Sequence, residues 1–135
     1  MNVFVDTSAL VEVIDHDAPR HAAATGEWEA MLRRDDALIC TNYVMVETVS
    51  LVQRRLGMDA VRLLCADIAP ALHVEWIGRE VHEDAMTAML AAGRRKLSLI
   101  DCASFVVMRR LGIRGAFAFD SHFEEEGFEC LPGGA

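Results

Sequence analysis

The sequence predicts an α/β domain, a three-layer sandwich in which a mostly parallel sheet carries helices on both faces. Three observations lead there. Short runs of β-branched and aromatic residues alternate with longer stretches of helical periodicity, the order expected of right-handed βαβ units. Two of those runs, at residues 2–5 and 116–119, pass straight into an aspartate, Asp6 and Asp120, where a strand stops. The chain has 135 residues, 53% hydrophobic and 25% charged, which suits one compact domain over 1–135 with a substantial core.

Taken in order, residues 2–5 read as a buried strand and a helix follows Asp6 to about Ile14. The turn at residues 15–19 ends it, and a second helix spans about Arg20 to Arg34. Leu38 to Cys40 is a short strand. Thr41 and Asn42 then cap a long helix to about Leu56, Gly57 closes it, and Asp59 caps another that runs to about Ala69, before Pro70. His73 to Ile77 reads as a strand, Glu80 to Ala92 and Ser98 to Leu111 as helices, and Ala116 to Phe119 as a strand. Phe128 to Leu131 forms a last edge strand ahead of a Pro-Gly-Gly tail.

Composition narrows the function classes. The apolar stretches are about a strand long and broken by charge, and no basic segment with an apolar signal region opens the chain, so a soluble cytoplasmic protein with no membrane role is expected. Four widely spaced cysteines, with no C-x-x-C pair, read as free thiols and not as a zinc site. A formal net charge of −8 argues against phosphate binding until the distribution is considered. Twelve arginines and one lysine fall largely in adjacent groups. Most read as cations at helix ends, whereas Arg94, Arg95 and Lys96 precede an acidic motif and are candidates for binding nucleic acid.

Four acids do not fit a solvated surface, and each has a plain structural alternative. Asp6 is either a helix N-cap or a carboxylate at the carboxyl end of a strand, where open α/β sheets bind ligands. Glu47 lies among Val44, Val46, Val49, Leu51 and Val52, on a narrow polar stripe or in a site. Asp101 ends Ser98-Leu-Ile-Asp101, the form of a capping box, and Asp120 opens what reads as a turn. A parallel sheet would bring all four to one edge. Carboxylates with no histidine or cysteine at ligand spacing make a hard-oxygen site, suited to Mg²⁺ or Mn²⁺ and poorly to zinc. Asp6, Asp101 and Asp120 are the first-choice ligands, with Glu47 holding a water or a second ion.

Asp6-Thr7-Ser8 after a strand, Glu47 in an apolar helix, Leu97-Ser-Leu-Ile-Asp101-Cys-Ala103 opening a helix and Phe117-Ala-Phe-Asp120-Ser-His-Phe123 together resemble the PIN-domain ribonucleases, most of all the VapC-type toxins of toxin–antitoxin pairs. Carried over by position, Asp6, Glu47, Asp101 and Asp120 match the family's acids, Thr7 its polar residue beside the first acid, and Ser98 a polar neighbour of the site. The resemblance implies metal-dependent cleavage of RNA, a homodimer, and a small antitoxin whose C-terminal segment covers the site. Apolar residues around Leu51, Val52, Leu63 and Leu64 are the expected dimer surface. Two other readings stay open, a PIN-like scaffold that binds RNA or protein without cleaving, and a housekeeping RNA-processing nuclease. The remaining sequence favours no other chemistry. No G-x-S-x-G elbow and no G-x-x-x-x-G-K-[ST] loop occur, and Asp6-Thr7-Ser8 departs from the D-x-D of aspartyl-phosphate phosphatases. His122 is read as either a solvent-exposed loop residue or an RNA contact.

Overall fold

The computed structural model describes residues 1–133. Five strands, β1 (Asn2–Val5), β2 (Ala37–Thr41), β3 (Leu72–Glu75), β4 (Gly115–Phe117) and β5 (Glu129–Leu131), form one all-parallel sheet in the order β3-β2-β1-β4-β5. Helices α1 (Thr7–Ile14) and α2 (His21–Arg33) join β1 to β2. Helices α3 (Asn42–Leu56) and α4 (Met58–Leu63) lead to β3, α5 (Arg79–Ala92) and α6 (Leu99–Leu111) to β4, and α7 (Ser121–Glu125) to β5. The chain advances from β1 to β3 in one direction and then returns to the other side of β1. That reversal makes the β1/β4 boundary the topological switch point of the sheet.

Strand alternation sends the core to both faces. Phe4 meets Phe123 of α7, which packs edge-on to Phe105 of α6, while Phe117 stacks with Trp28 of α2. Phe4, Phe117 and Phe123 are fully buried, so each helical layer is anchored by an aromatic pair spanning sheet and helix. The four cysteines are free, and burial pushes the Cys40 thiol up to about 12. Among the described residues no helix is long and apolar enough to cross a membrane.

Several boundaries differ from the sequence expectation. The second cap of the α3–α4 region is Gly57, at φ 91°, where a side chain would be strained, and Asp59 sits inside the first turn of α4. The helix expected to run to Ala69 instead leaves α geometry after Leu63, passing through a π turn at Leu64–Ile68 and a 3₁₀ turn at Ala69–Ala71 that contains Pro70. The third strand stops at Glu75, paired with Thr41 at the end of β2, and beyond it the Ile77 N–H is taken by the Asn42 side chain at 2.6 Å. β4 stops at Phe117, and the Phe119 N–H is taken by the Ser8 hydroxyl at 3.0 Å. Val52 and Leu64, expected on a dimer surface, are 1% and 0% exposed and belong to the core. The apolar side chains left outside on α3 and α4 are Val46, Leu56, Met58 and Leu63.

Candidate active site

The carboxyl edge of the sheet gathers the four acids. The Asp6 N–H donates to the Phe117 carbonyl at 3.0 Å, extending the β1/β4 ladder by one bond, and its side chain then N-caps α1. Asp6 Oδ2 accepts from the Ser8 N–H at 3.1 Å and the Ser8 hydroxyl at 2.7 Å. Across the switch point Asp120 N-caps α7, its Oδ1 accepting from the His122 N–H at 2.9 Å. Asp101 closes the capping box of α6: its Oδ2 accepts from the Ser98 N–H at 3.2 Å, and its own N–H donates to Ser98 Oγ at 3.0 Å. Glu47 is half-buried on α3, close enough for its charge to act on Asp6.

The electrostatics are unfavourable to so much negative charge. Asp6 is 4% exposed, and its carboxyl is pushed up to about 7. Burial is the main cause, the charges of Asp101 and Glu47 add to it, and the two Ser8 hydrogen bonds only partly offset it. Asp101, 8% exposed, is also raised, first by burial and then by the Asp120 charge, against the pull of its bonds to Ser98. The cluster is short of positive charge.

His122 does not lie in an exposed loop, one of the two readings the sequence left open. It lies in the first turn of α7 with its side chain 14% exposed, and Nδ1 stands 3.2 Å from Asp120 Oδ1 and 3.4 Å from Asp101 Oδ2. That nitrogen is buried and has no hydrogen-bond partner. One ligand atom from each of Asp101, Asp120 and His122 falls within 4.8 Å of the others. An imidazole nitrogen therefore lies among the carboxylate oxygens that the sequence singled out. The signal was the Asp120-x-His122 spacing, which puts a side chain of the first helical turn over its own capping residue.

The supporting residues divide differently from expectation as well. Thr7 is buried, and its hydroxyl turns to α3, where it donates to the Val44 carbonyl at 3.3 Å and shares a 2.9 Å hydrogen bond with Thr48. It holds the helix that carries Glu47, while Ser8, which the sequence did not single out, holds the Asp6 carboxylate and ties it to Phe119 beside Asp120. Arg94, Arg95 and Lys96 are exposed in the loop before Ser98. Arg94 pairs with Glu125 of α7 at 3.1 Å, and Arg95 and Lys96 make no ion pair among the described residues. Arg20, also missed, stacks its guanidinium 4.6 Å above the Phe119 ring.

A divalent cation fits this donor set. Buried carboxylates with raised pKa and an orphaned imidazole nitrogen are groups whose cost a positive ion at the centre would offset.

The PIN-domain family model matches residues 3–129. The chain belongs to the PIN-domain family. Within it, the chain is 32% identical over 127 residues to the 23S rRNA-specific endonuclease VapC20 of Mycobacterium tuberculosis, covering 93% of this chain and 95% of that one. The crystal structure of VapC20, described as a sarcin–ricin loop cleaving toxin, superposes with a TM-score of 0.84 at 31% identity over the same shares. Ribonuclease VapC26 of the same species is 29% identical, over 90% of this chain and 89% of its own. FitAcB from Neisseria gonorrhoeae shares the PIN fold, with a TM-score of 0.64 at 11% identity, covering 91% of this chain and 90% of that one. Its all-parallel α/β sandwich is the scaffold it shares with these VapC relatives.

Proposed function

We propose that the chain is a Mg²⁺- or Mn²⁺-dependent endoribonuclease and the toxin of a toxin–antitoxin pair. The observation that carries this is the convergence of Asp6, Asp101 and Asp120, with Glu47 in electrostatic reach, at the switch point of a parallel sheet. Asp6, Asp101 and Asp120 hold the ion, and Glu47 orients the attacking water from α3. When bound, the ion supplies a water acidic enough to attack phosphorus at neutral pH and stabilises the leaving oxygen of the phosphodiester. Ser8 fixes the Asp6 carboxylate, and Ser98 fixes that of Asp101. Arg95 and Lys96, free of ion pairs among the described residues, contact the RNA backbone beside the acids, so that a protein of net charge −8 presents local positive charge where phosphate enters.

The partners follow the same reading. A small antitoxin covers the acidic edge with a basic side chain, and two copies of the chain associate through α3 and α4. RNA of the kind cleaved by the VapC20 relative, the sarcin–ricin loop of 23S rRNA, is the first substrate to try. A synthetic stem-loop of that sequence, and total RNA, are incubated with purified protein in Mg²⁺, in Mn²⁺ and in chelator. Cleavage is expected only with the ions and should drop by more than about 100-fold in Asp6→Asn, because even residues outside the ligand set cost 10–100-fold at such sites. A folded protein that cleaves neither RNA with either ion would refute the nuclease reading and leave a binding scaffold.

A further inference from the structure

We infer that His122 Nδ1 is a ligand of the same divalent ion as Asp101 and Asp120, and that this nitrogen biases the site toward Mn²⁺ over Mg²⁺. The inference rests on the proposed metal centre and goes beyond it by naming a donor and an ion preference.

The geometry distinguishes a ligand from a hydrogen-bonded neighbour. Nδ1 lies 3.2 Å from Asp120 Oδ1 and 3.4 Å from Asp101 Oδ2, yet it is buried and hydrogen-bonded to neither. A ring placed to neutralise one carboxylate would aim its N–H along a lone pair, whereas this nitrogen stands between two. In octahedral coordination with ligands at about 2.1 Å, adjacent donor atoms lie roughly 3 Å apart, so both separations are close to the edge of such an octahedron. Burying an imidazole nitrogen without a partner is costly, and an ion bound by all three groups would remove the cost.

The ring is also held where it is. The His122 backbone N–H is fixed on Asp120 Oδ1 at 2.9 Å. The next residue, Phe123, is fully buried against Phe4, Phe105 and Phe128. Three residues on, Glu125 is tied to Arg94 at 3.1 Å. A five-residue helix pinned at these points presents its histidine without rearrangement. Mn²⁺ takes an imidazole nitrogen more readily than Mg²⁺, which prefers oxygen and keeps its waters, so the nitrogen favours Mn²⁺ over Mg²⁺.

The test reads the ligand directly. Mn²⁺ is added to the purified protein, pulsed electron paramagnetic resonance records nitrogen coupling to the ion, and calorimetric titrations give Mn²⁺ and Mg²⁺ affinities. Wild type should show the coupling of a directly bound imidazole. His122→Gln should lose it, and its Mn²⁺ affinity should fall by about 10-fold or more with a much smaller change for Mg²⁺. If that variant does not fold, His122→Asn replaces it, and the wild-type spectrum stands without either. Bound Mn²⁺ without nitrogen coupling, coupling that survives in the variant, or equal losses for both ions would overturn the inference while leaving the metal centre intact. Absence of any Mn²⁺ binding by wild type would overturn both.

Discussion

Replacing Asp6 with asparagine should stabilise the metal-free protein at pH 8 and destabilise it by a similar amount at pH 4. Asp6 is buried, and its carboxyl titrates at about 7 in the folded state against an ordinary value of 3.8. Between those values the folded chain keeps a proton that the unfolded chain has released, so stability is full below about pH 4, falls as pH rises, and levels off above about 7. A displacement of about three units corresponds to roughly 4 kcal/mol lost across that window. Asparagine is neutral throughout, and its Oδ1 keeps both bonds now made by Ser8, so the α1 cap survives. Its buried amide hydrogens lack acceptors and cost about 1–3 kcal/mol at every pH. The balance is a gain of about 2 kcal/mol at pH 8 and a loss of about 2 kcal/mol at pH 4. For a chain of 135 residues the gain raises Tm by about 5–10 °C. Thermal melts of both proteins in chelator, from pH 4 to pH 8, give the difference directly, because every other group titrates in both. Parallel curves over that range would show that Asp6 is not held protonated by burial and would refute the electrostatic account of the site.

Two further outcomes are expected. Asp101→Asn weakens a cap typically worth about 1 kcal/mol but relieves burial of charge and repulsion from Asp120, so its Tm in chelator should stay within a few degrees of wild type. In saturating Mn²⁺, at 100 times Kd, wild type gains about 2.7 kcal/mol, which the variant should lack. A variant that melts much lower in chelator yet gains fully from Mn²⁺ makes Asp101 a cap alone. Val46→Asp, on the exposed face of α3 where the side chain is 67% exposed, should turn a dimer into a monomer by light scattering without lowering Tm. A wild type that is monomeric at micromolar concentration would remove the dimer from the proposal.

The parts of the fold legible in the sequence are those set by local pattern. β1 and α3 follow from a β-branched run and from a Thr41 cap with Gly57 as stop, and the parallel sheet from their alternation. Two of the misplaced boundaries involve side chains distant in sequence. Asn42 takes the Ile77 N–H from 35 residues away, and Ser8 takes the Phe119 N–H from 111 residues away. No window of sequence contains either pair. The four acids were visible because each breaks an apolar segment, but their mutual effects depend on the sheet order, which sequence alone does not fix. Helix α7 is five residues long and too short for periodicity, so His122 read as a loop residue.

For Asp6 and Asp101 cap and site were posed as alternatives, and for Asp120 turn and site, yet in the structure all three cap or open a helix at the sheet's carboxyl edge. In a parallel sheet every helix after a strand begins at the carboxyl edge, so a residue capping that helix lies where the ligand crevice opens. Asp6 caps α1 after β1, and Asp120 caps α7 soon after β4, the two strands that flank the switch point. Asp101 enters the same edge from the first turn of α6. Capping hydrogen bonds and the positive ends of helix dipoles favour ionised carboxylates at all three positions. Burial and mutual repulsion oppose them and, at Asp6 and Asp101, prevail. A helix terminus can therefore position such a carboxylate without relieving its charge, which leaves an ion strongly favoured at the centre. The same caps that orient the acids also keep their oxygens fixed when the ion is absent, so the chain carries a preorganised site and the metal-free state bears its electrostatic cost.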